Sequence, residues 1–254
     1  MRPPFKTHRR TAHEAGIAIG PILFIIALLA ILATAIATGS GTFAGSYDQE
    51  QARTAASEIT HFAYTVKQAI DRVRMGQGCT DYQVSFENPI DSNYVNSSAP
   101  SDHHCHIFDM AGAGMTWKLP PTDFLDTSFS AQTDYGKYLY TTGTCIDGIG
   151  TAVSSCHTDG LDNSQLFIFL PYVKQTICQQ LNTILRQNAT IYTDANELYK
   201  TDSFMYFKGS YADPGERLNQ GGVPKVYASG CAQSVTGPGP AANAYGFYMV
   251  LLVR

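Results

Sequence analysis

The longest apolar run of the chain lies near its start, where residues 17–37 read IAIGPILFIIALLAILATAIA without a charge. At about 1.5 Å of rise per residue, a helix of this length spans roughly 30 Å, the thickness of a bilayer's hydrocarbon layer. Four basic residues precede the run, and none follows it before Arg53. By the positive-inside rule, this asymmetry predicts a single span of a bacterial inner membrane, with a cytoplasmic N-terminus and a periplasmic remainder.

A secretory signal peptide is the competing interpretation of the same residues. Small residues at 33–35 and at 35–37 (Ala-Thr-Ala and Ala-Ile-Ala) have the spacing of a cleavage site. The apolar run exceeds the roughly 7–15 residues of an ordinary signal-peptide core, which favours an uncleaved membrane helix.

An amphipathic pattern follows the apolar run. Glycines between Gly39 and Gly45 interrupt the first pattern, and from near Tyr47 apolar residues recur every three or four positions until Gly76. This spacing predicts a second helical stretch that lies on a folded domain. The chain is therefore divided into a basic leader (1–16), a transmembrane helix (17–38), a Gly/Ser hinge (39–46) and a head domain (47–254).

The rest of the head alternates short β-like runs with loops. Weak runs occur at residues 82–86, 106–110 and 115–119, and stronger ones at 137–144, 165–170 and 245–253, of which 137–144 and 165–170 are expected to pair as antiparallel neighbours. A helix is predicted from Pro171 to Asn188, with an apolar stripe that includes Cys178 and Ile184. The expected class is α+β, with helices packed on a small antiparallel sheet.

Charge and composition narrow the functional classes. The composition is that of a globular chain, with 44% hydrophobic and 15% charged residues. Residues 1–16 carry a net charge of +3, which leaves −7 on the remainder of a chain whose formal charge is −4. An acidic exposed domain argues against a nucleic-acid partner.

All the cysteines follow the apolar run, at Cys79, Cys105, Cys145, Cys156, Cys178 and Cys231. An even number on one side of a membrane span predicts up to three disulfides in an oxidising compartment. Buried unpaired thiols are the alternative, and zinc is disfavoured because no two cysteines have the usual ligand spacing. Sequence does not determine the pairing, although glycines and serines between Cys145 and Cys156 favour a local bridge there.

Catalytic chemistry has little support in the sequence. No nucleophile elbow, zinc-protease helix or Walker loop is present, and no cofactor or enzyme activity is expected. The one dense set of potential metal ligands is His103, His104, Cys105 and His106, where His104 and His106 would share a face of a strand. Without a carboxylate at a supporting spacing, we interpret these histidines as ordinary loop residues.

The basic leader ending in Gly16, the apolar helix that starts at Ile17 and its amphipathic continuation to about residue 75 together resemble the type IV pilins and pseudopilins. The resemblance implies cleavage between Gly16 and Ile17 by a prepilin peptidase, methylation of Ile17, and packing of the helix against copies of itself or other pilin-like subunits. Pro21 stands where the family usually has Glu, which favours a minor subunit, or a pilin-like protein that is not in a filament, over a major self-polymerising subunit. Some pseudopilins bind calcium through a loop, and the residues of this chain that suit such a loop are Asp159, Asp162 and Asn163. They do not match the EF-hand pattern, so a turn rich in Asp and Asn is the preferred interpretation.

These features predict a minor pilin or pseudopilin, a structural subunit of a type IV pilus or a type II secretion-like filament. The alternative is a secreted or membrane-anchored, disulfide-rich binding module whose loops at 88–104 and 209–242 recognise a carbohydrate, a peptide or an ion. An envelope enzyme is a third interpretation, and it requires a catalytic pair that only the fold brings together.

Overall fold

The computed structural model describes the backbone of residues 19–146, 148–150, 164–186, 188–194, 197–201, 205–211, 216–218, 227–237 and 239–253. The contacts divide the chain into two units, Met1–Asp48 and Gln49–Arg254. The second unit is an α+β domain, so the predicted class is confirmed. Its sheet is mixed, however, and not purely antiparallel as predicted.

Helix α1 is assigned to Ile19–Gln77, and its side chains are described for residues 22–34 and 48–77. Residues 22–34 are exposed. Among the side chains that the structure describes, no helix has an apolar stretch of the length needed to cross a membrane. The helix bounds include residues 39–46, and the predicted hinge there stays a prediction because its side chains lie outside the described set.

The head-domain part of α1 buries one face, as its sequence pattern predicts. Its buried positions are spaced by three or four residues, which places them on a single stripe: Ala52, Ala55, Ala56, Ile59, Phe62, Ala63, Val66, Ala69, Ile70 and Val73. The helix ends one residue beyond the predicted stop at Gly76. Gly78 follows with a φ of 74°, a left-handed conformation typical of the residue after a helix.

Five strands form the main sheet in the order β1-β3-β7-β6-β4. Their bounds are Leu139–Thr141 (β1), Leu166–Pro171 (β3), Tyr192–Asp194 (β4), Ser229–Ser234 (β6) and Tyr245–Leu252 (β7). The predicted antiparallel pairing of β1 with β3 is confirmed. Strand β4 runs parallel to β6, which makes the sheet mixed. A separate parallel pair joins β2 (Thr144–Cys145) to β5 (Glu216–Arg217).

Strands β3 and β7 are buried on both faces of the sheet, which explains their nearly continuous apolar sequences. Ile168 and Leu170 of β3 belong to the core that contains α1 and the second helix, α2 (Gln175–Arg186), whereas Phe167 and Phe169 belong to a second core on the other face. Side chains of consecutive strand residues point to opposite faces, so each strand contributes to both cores. The second core also contains Tyr199.

Helix α2 covers Gln175–Arg186, a shorter range than predicted. Pro171 does not open it, because this residue ends β3 and pairs with Gly246. Ile184 was placed wrongly in the apolar stripe, since it is 42% exposed. Cys178 does point inward as predicted, and its disulfide to Cys231 links α2 to β6.

The three weak β-like runs at 82–86, 106–110 and 115–119 form no strands. They contribute one isolated parallel bridge, between Ser85 and His106. A short 3-10 turn at Ser92–Tyr94 lies between the first two runs, and two more, at Thr122–Phe124 and Thr127–Phe129, follow the third. The segment is instead a loop layer held by the Cys79–Cys105 disulfide and by packing of Phe86, Phe108 and Trp117 against Tyr140.

Candidate functional site

The histidine cluster lies in the loop layer, where its backbone is held on several sides. The amide of Ser85 donates to Cys105 O (3.0 Å), and the amide of Ile107 donates to Ser85 O (2.9 Å). The amide of Ala113 donates to His106 O at 2.9 Å. Together with the disulfide at Cys105, these bonds constrain the position from which the His106 side chain extends.

A cavity of about 300 Å³ opens beside this backbone. It contains three carboxylates and two imidazoles and no lysine or arginine; its lining residues are Glu87, Asn88, Pro89, Asp91, Ser92, Val95, His103, His106, Phe108 and Asp109. The charge of this lining is negative whenever both imidazoles are neutral. The cavity is therefore suited to a cation or to a polar donor group.

Two imidazole rings stack at the cavity. The rings of His103 and His106 have centroids 4.3 Å apart and are inclined by 6°. The sequence analysis instead expected His104 and His106 to share a face, on the assumption of a strand. His103 has a φ of 64°, so the backbone is not extended there and the strand alternation does not apply.

Carboxylates surround the histidines, contrary to the expectation that no supporting carboxylate is present. Nδ1 of His103 lies 3.1 Å from Asp109 Oδ2, and Nδ1 of His104 lies 2.5 Å from Asp102 Oδ1. The Ala111 amide, and then His103, lower the pKa of Asp109. The hydrogen bond with His104 is the main cause of the lowered pKa of Asp102. Both carboxylates therefore stay ionised next to the rings.

His106 differs from its neighbours in being buried. Its side chain is 5% exposed, against 49% for His103, and burial lowers its pKa, so that the neutral imidazole is favoured near pH 7. Its ring makes no hydrogen bond to the described residues, and Nδ1 lies 3.9 Å from Glu87 Oε2. Glu87 is itself fixed through its other oxygen, which accepts a 2.7 Å hydrogen bond from the Asn96 amide.

Cys79, His104 and Cys105 form the one group of three potential metal ligands in the described residues whose ligand atoms lie within 4.8 Å of one another. Both sulfur atoms belong to the Cys79–Cys105 disulfide. Because thiolates, and not disulfides, bind metal ions, this group is no metal site in the oxidised protein.

A second cavity, of about 260 Å³, shares Asp91 with the first. Its other lining residues are Ile90, Trp117, Leu119, Tyr135, Gly136 and Lys137. The indole N–H of Trp117 is buried and has no hydrogen-bond partner among the described residues. Asp91 thus borders both cavities, in the region where the sequence analysis placed a recognition loop at 88–104.

Two buried polar clusters elsewhere connect elements of the fold. Asp134 accepts hydrogen bonds from the hydroxyls of Tyr172 and Tyr199. Arg186 donates to the Tyr248 hydroxyl, with the Tyr227 ring centroid 4.6 Å from its guanidinium carbon. Each cluster joins residues that are distant in sequence, so we interpret both as structural.

The remaining predicted site residues have mixed outcomes. The disulfides Cys79–Cys105 and Cys178–Cys231 are present, and Cys145 is also disulfide-bonded. Its predicted partner Cys156 lies outside the described residues. The predicted processing residues Gly16 and Ile17 and the calcium-loop residues lie outside them too: Asp159, Asp162 and Asn163.

Comparisons with known proteins do not identify a family for the chain. No protein-family model matches it, and no curated protein or solved structure matches it either. Any function assigned to the protein therefore depends on its own residues.

Proposed function

We propose that the protein is a pilin-like structural subunit, either a minor pilin or a pseudopilin of a bacterial envelope filament. The observation that carries the proposal is the exposure of the apolar residues of α1 between Ile22 and Leu32. Nine large hydrophobic side chains in this range are 51–67% exposed. They include five consecutive residues, so they cover every face of the helix. Such a helix needs lipid or protein around it on all sides.

The head-domain part of α1 supports the same proposal. From Ala52 to Val73 it buries a continuous stripe in the main core of the second unit. An apolar, exposed portion and an amphipathic, buried portion of one helix are what a subunit needs if it is stored in a membrane and later packs against neighbouring subunits. The two described disulfides suit a head that folds in an oxidising compartment.

Processing of the N-terminus provides the first test. The intact mass and N-terminal sequence are measured on protein purified from its native membrane without a reducing agent. A methylated N-terminus at Ile17 supports the proposal. A start near Thr38 indicates a secreted domain and a start at Met1 an uncleaved anchor, and either result contradicts it.

Subunit contact provides the second test. A photo-crosslinking amino acid replaces Phe24, which is 67% exposed in the apolar portion, and Met75, which is 80% exposed at the other end of α1, serves as the control. Irradiation of cells is expected to give a ladder of crosslinked species from position 24 and little from position 75. Equal, weak crosslinking at both positions contradicts packing through the apolar portion.

A binding module of the envelope is the second candidate function, and the two adjoining cavities favour it. In this case the full-length protein stays monomeric in mild detergent, and deletion of residues 1–38 does not affect ligand binding. A crosslinked ladder from position 24 together with a methylated Ile17 excludes this candidate as the main function.

A further inference from the structure

We propose that the cavity at Glu87, His103 and His106 binds a divalent transition-metal ion of the zinc class. The proposal is independent of filament assembly. It combines two stacked imidazoles that line the cavity with the carboxylate of Glu87, which lies 3.9 Å from Nδ1 of His106. Imidazole and carboxylate ligands together favour zinc, cobalt, nickel or copper over calcium and magnesium, which prefer oxygen ligands.

His106 is the fixed donor of this site. It lines the cavity, its side chain is 5% exposed, and its ring has no hydrogen-bond partner among the described residues. Neither ring nitrogen is among the fully buried polar atoms that lack a partner in the described residues, so the ring borders the cavity and is not sealed in the core. A metal ion in the cavity would provide the partner that the described protein atoms do not.

A carboxylate already selects the tautomer of His103. If Nδ1–H donates to Asp109 Oδ2 at 3.1 Å, then Nε2 carries the free lone pair. The second oxygen of this carboxylate accepts from the Ala111 amide at 2.8 Å. Carboxylate–histidine pairs of this kind commonly hold metal-binding imidazoles in the correct tautomer and direction. Asp109 is therefore a positioning residue in the outer shell.

Glu87 supplies the third ligand. Its Oε1 is held by the Asn96 amide, and its Oε2 lies 3.9 Å from His106 Nδ1, which is too long for a hydrogen bond. The three ligand atoms do not yet form a compact set within 4.8 Å of one another. Closure thus requires the free oxygen of Glu87 to approach while the other keeps the Asn96 amide, and His103 to tilt out of its stack on His106, because parallel rings do not aim their in-plane lone pairs at one ion. The side chains of Glu87 and His103 are 31% and 49% exposed, which leaves them room to move around His106. Two histidines and one carboxylate would leave a coordination position for water.

The test uses the full-length protein in detergent, purified without a histidine tag and treated with a chelator. Calorimetric titration with ZnCl₂, and absorption spectroscopy with CoCl₂, measure stoichiometry, affinity and ligand geometry. We expect one high-affinity ion per chain, at least tenfold weaker binding of Ca²⁺ and Mg²⁺, and a cobalt spectrum typical of nitrogen and oxygen ligands.

Single variants assign the ligands. His103→Gln, His106→Gln and Glu87→Gln are each expected to weaken Zn²⁺ binding by tenfold or more. Asp109→Asn is expected to have a smaller effect, because it acts through His103. His104→Gln is the matched control, since His104 is adjacent in sequence but does not line the cavity. Circular dichroism of the metal-free variants checks the fold.

Three results overturn the proposal. They are unchanged Zn²⁺ affinity in His103→Gln and Glu87→Gln, loss of binding in His104→Gln alone, or no saturable binding to the wild-type chain. If His106→Gln does not fold, the two more exposed positions decide the outcome. Failure of this site leaves the proposed structural function untouched, because processing and crosslinking are measured separately.

Discussion

The side-chain amide of Asn182 pairs with the backbone of Cys231 through two hydrogen bonds. Its Oδ1 accepts from the Cys231 amide at 2.8 Å, and its Nδ2 donates to Cys231 O at 2.8 Å. Both residues are fully buried. Cys231 also forms a disulfide with Cys178, which lies one turn before Asn182 on α2. A covalent bond and a polar pair therefore fix α2 on β6 at neighbouring positions.

Asn182→Ala is expected to lower the free energy of unfolding by about 1–3 kcal/mol for each backbone group left without a partner. Gln179→Ala is the control, because Gln179 is an exposed residue of the same helix. Chemical denaturation of both variants without a reducing agent measures the difference. If the two variants agree within about 0.5 kcal/mol, the amide pair contributes no net stability.

The described disulfides are expected to contribute unequally to stability. Each bridge should contribute about 2–5 kcal/mol, and the longer loop slightly more, because closing a longer loop removes more entropy from the unfolded chain. The sequence separations are 26 residues for Cys79–Cys105 and 53 for Cys178–Cys231. Paired Cys→Ala variants of each bridge are compared by denaturation, and a loss below about 1 kcal/mol for either pair would contradict this account.

Glycine is required where the loop layer passes His106. A Cβ at Gly112 would lie 1.9 Å from His106 O, a backbone atom that cannot easily move, whereas a Cβ at Gly76 would meet nothing within 4 Å. Gly112→Ala is expected to destabilise the head and displace His106. Gly76→Ala, inside α1, should be neutral or stabilise by up to about 1 kcal/mol. Thermal unfolding of the matched pair checks this, and equal effects would argue against the close approach.

Several buried tyrosines are expected to resist ionisation. Burial is the main cause of a raised pKa at Tyr94, Tyr140 and Tyr199, among others. In the unfolded chain these groups ionise near pH 10, so their contribution to stability is constant below that pH and falls above it. An absorbance titration should show these tyrosines ionising only as the circular dichroism changes. Complete, reversible ionisation near pH 10 without unfolding would contradict their burial.

The strongest sequence patterns predicted the main elements. The three- and four-residue spacing of apolar positions between Ala52 and Val73 predicted the buried face of α1. The apolar runs of β3 and β7 predicted central strands. These patterns are local, because they depend on which faces of one element are buried, and each element carries that information in its own residues. The weak runs at 82–86 and 115–119 failed because aromatic packing and a disulfide hold them in loops.

The arrangement of groups around the histidines could be found only from the tertiary structure. Glu87 lies 19 positions before His106 in the chain, and tertiary contacts, among them the Ser85–His106 bridge and the Cys79–Cys105 disulfide, bring the carboxylate near the ring. A pattern of histidines shows neither which ring is buried nor which carboxylates surround it. The sequence likewise did not predict the buried hydrogen bonds of Asp134 with Tyr172 and Tyr199.

By itself, the sequence determined the α+β class, the amphipathic stripe of α1, the central strands and the use of cysteines in disulfides. Tertiary structure alone decided the parallel position of β4, the described disulfide pairings and the placement of acidic groups around His106. The physical reason is that apolar periodicity records burial along one element. Contacts between distant residues depend instead on how loops close over a shared core, which no short stretch of sequence encodes.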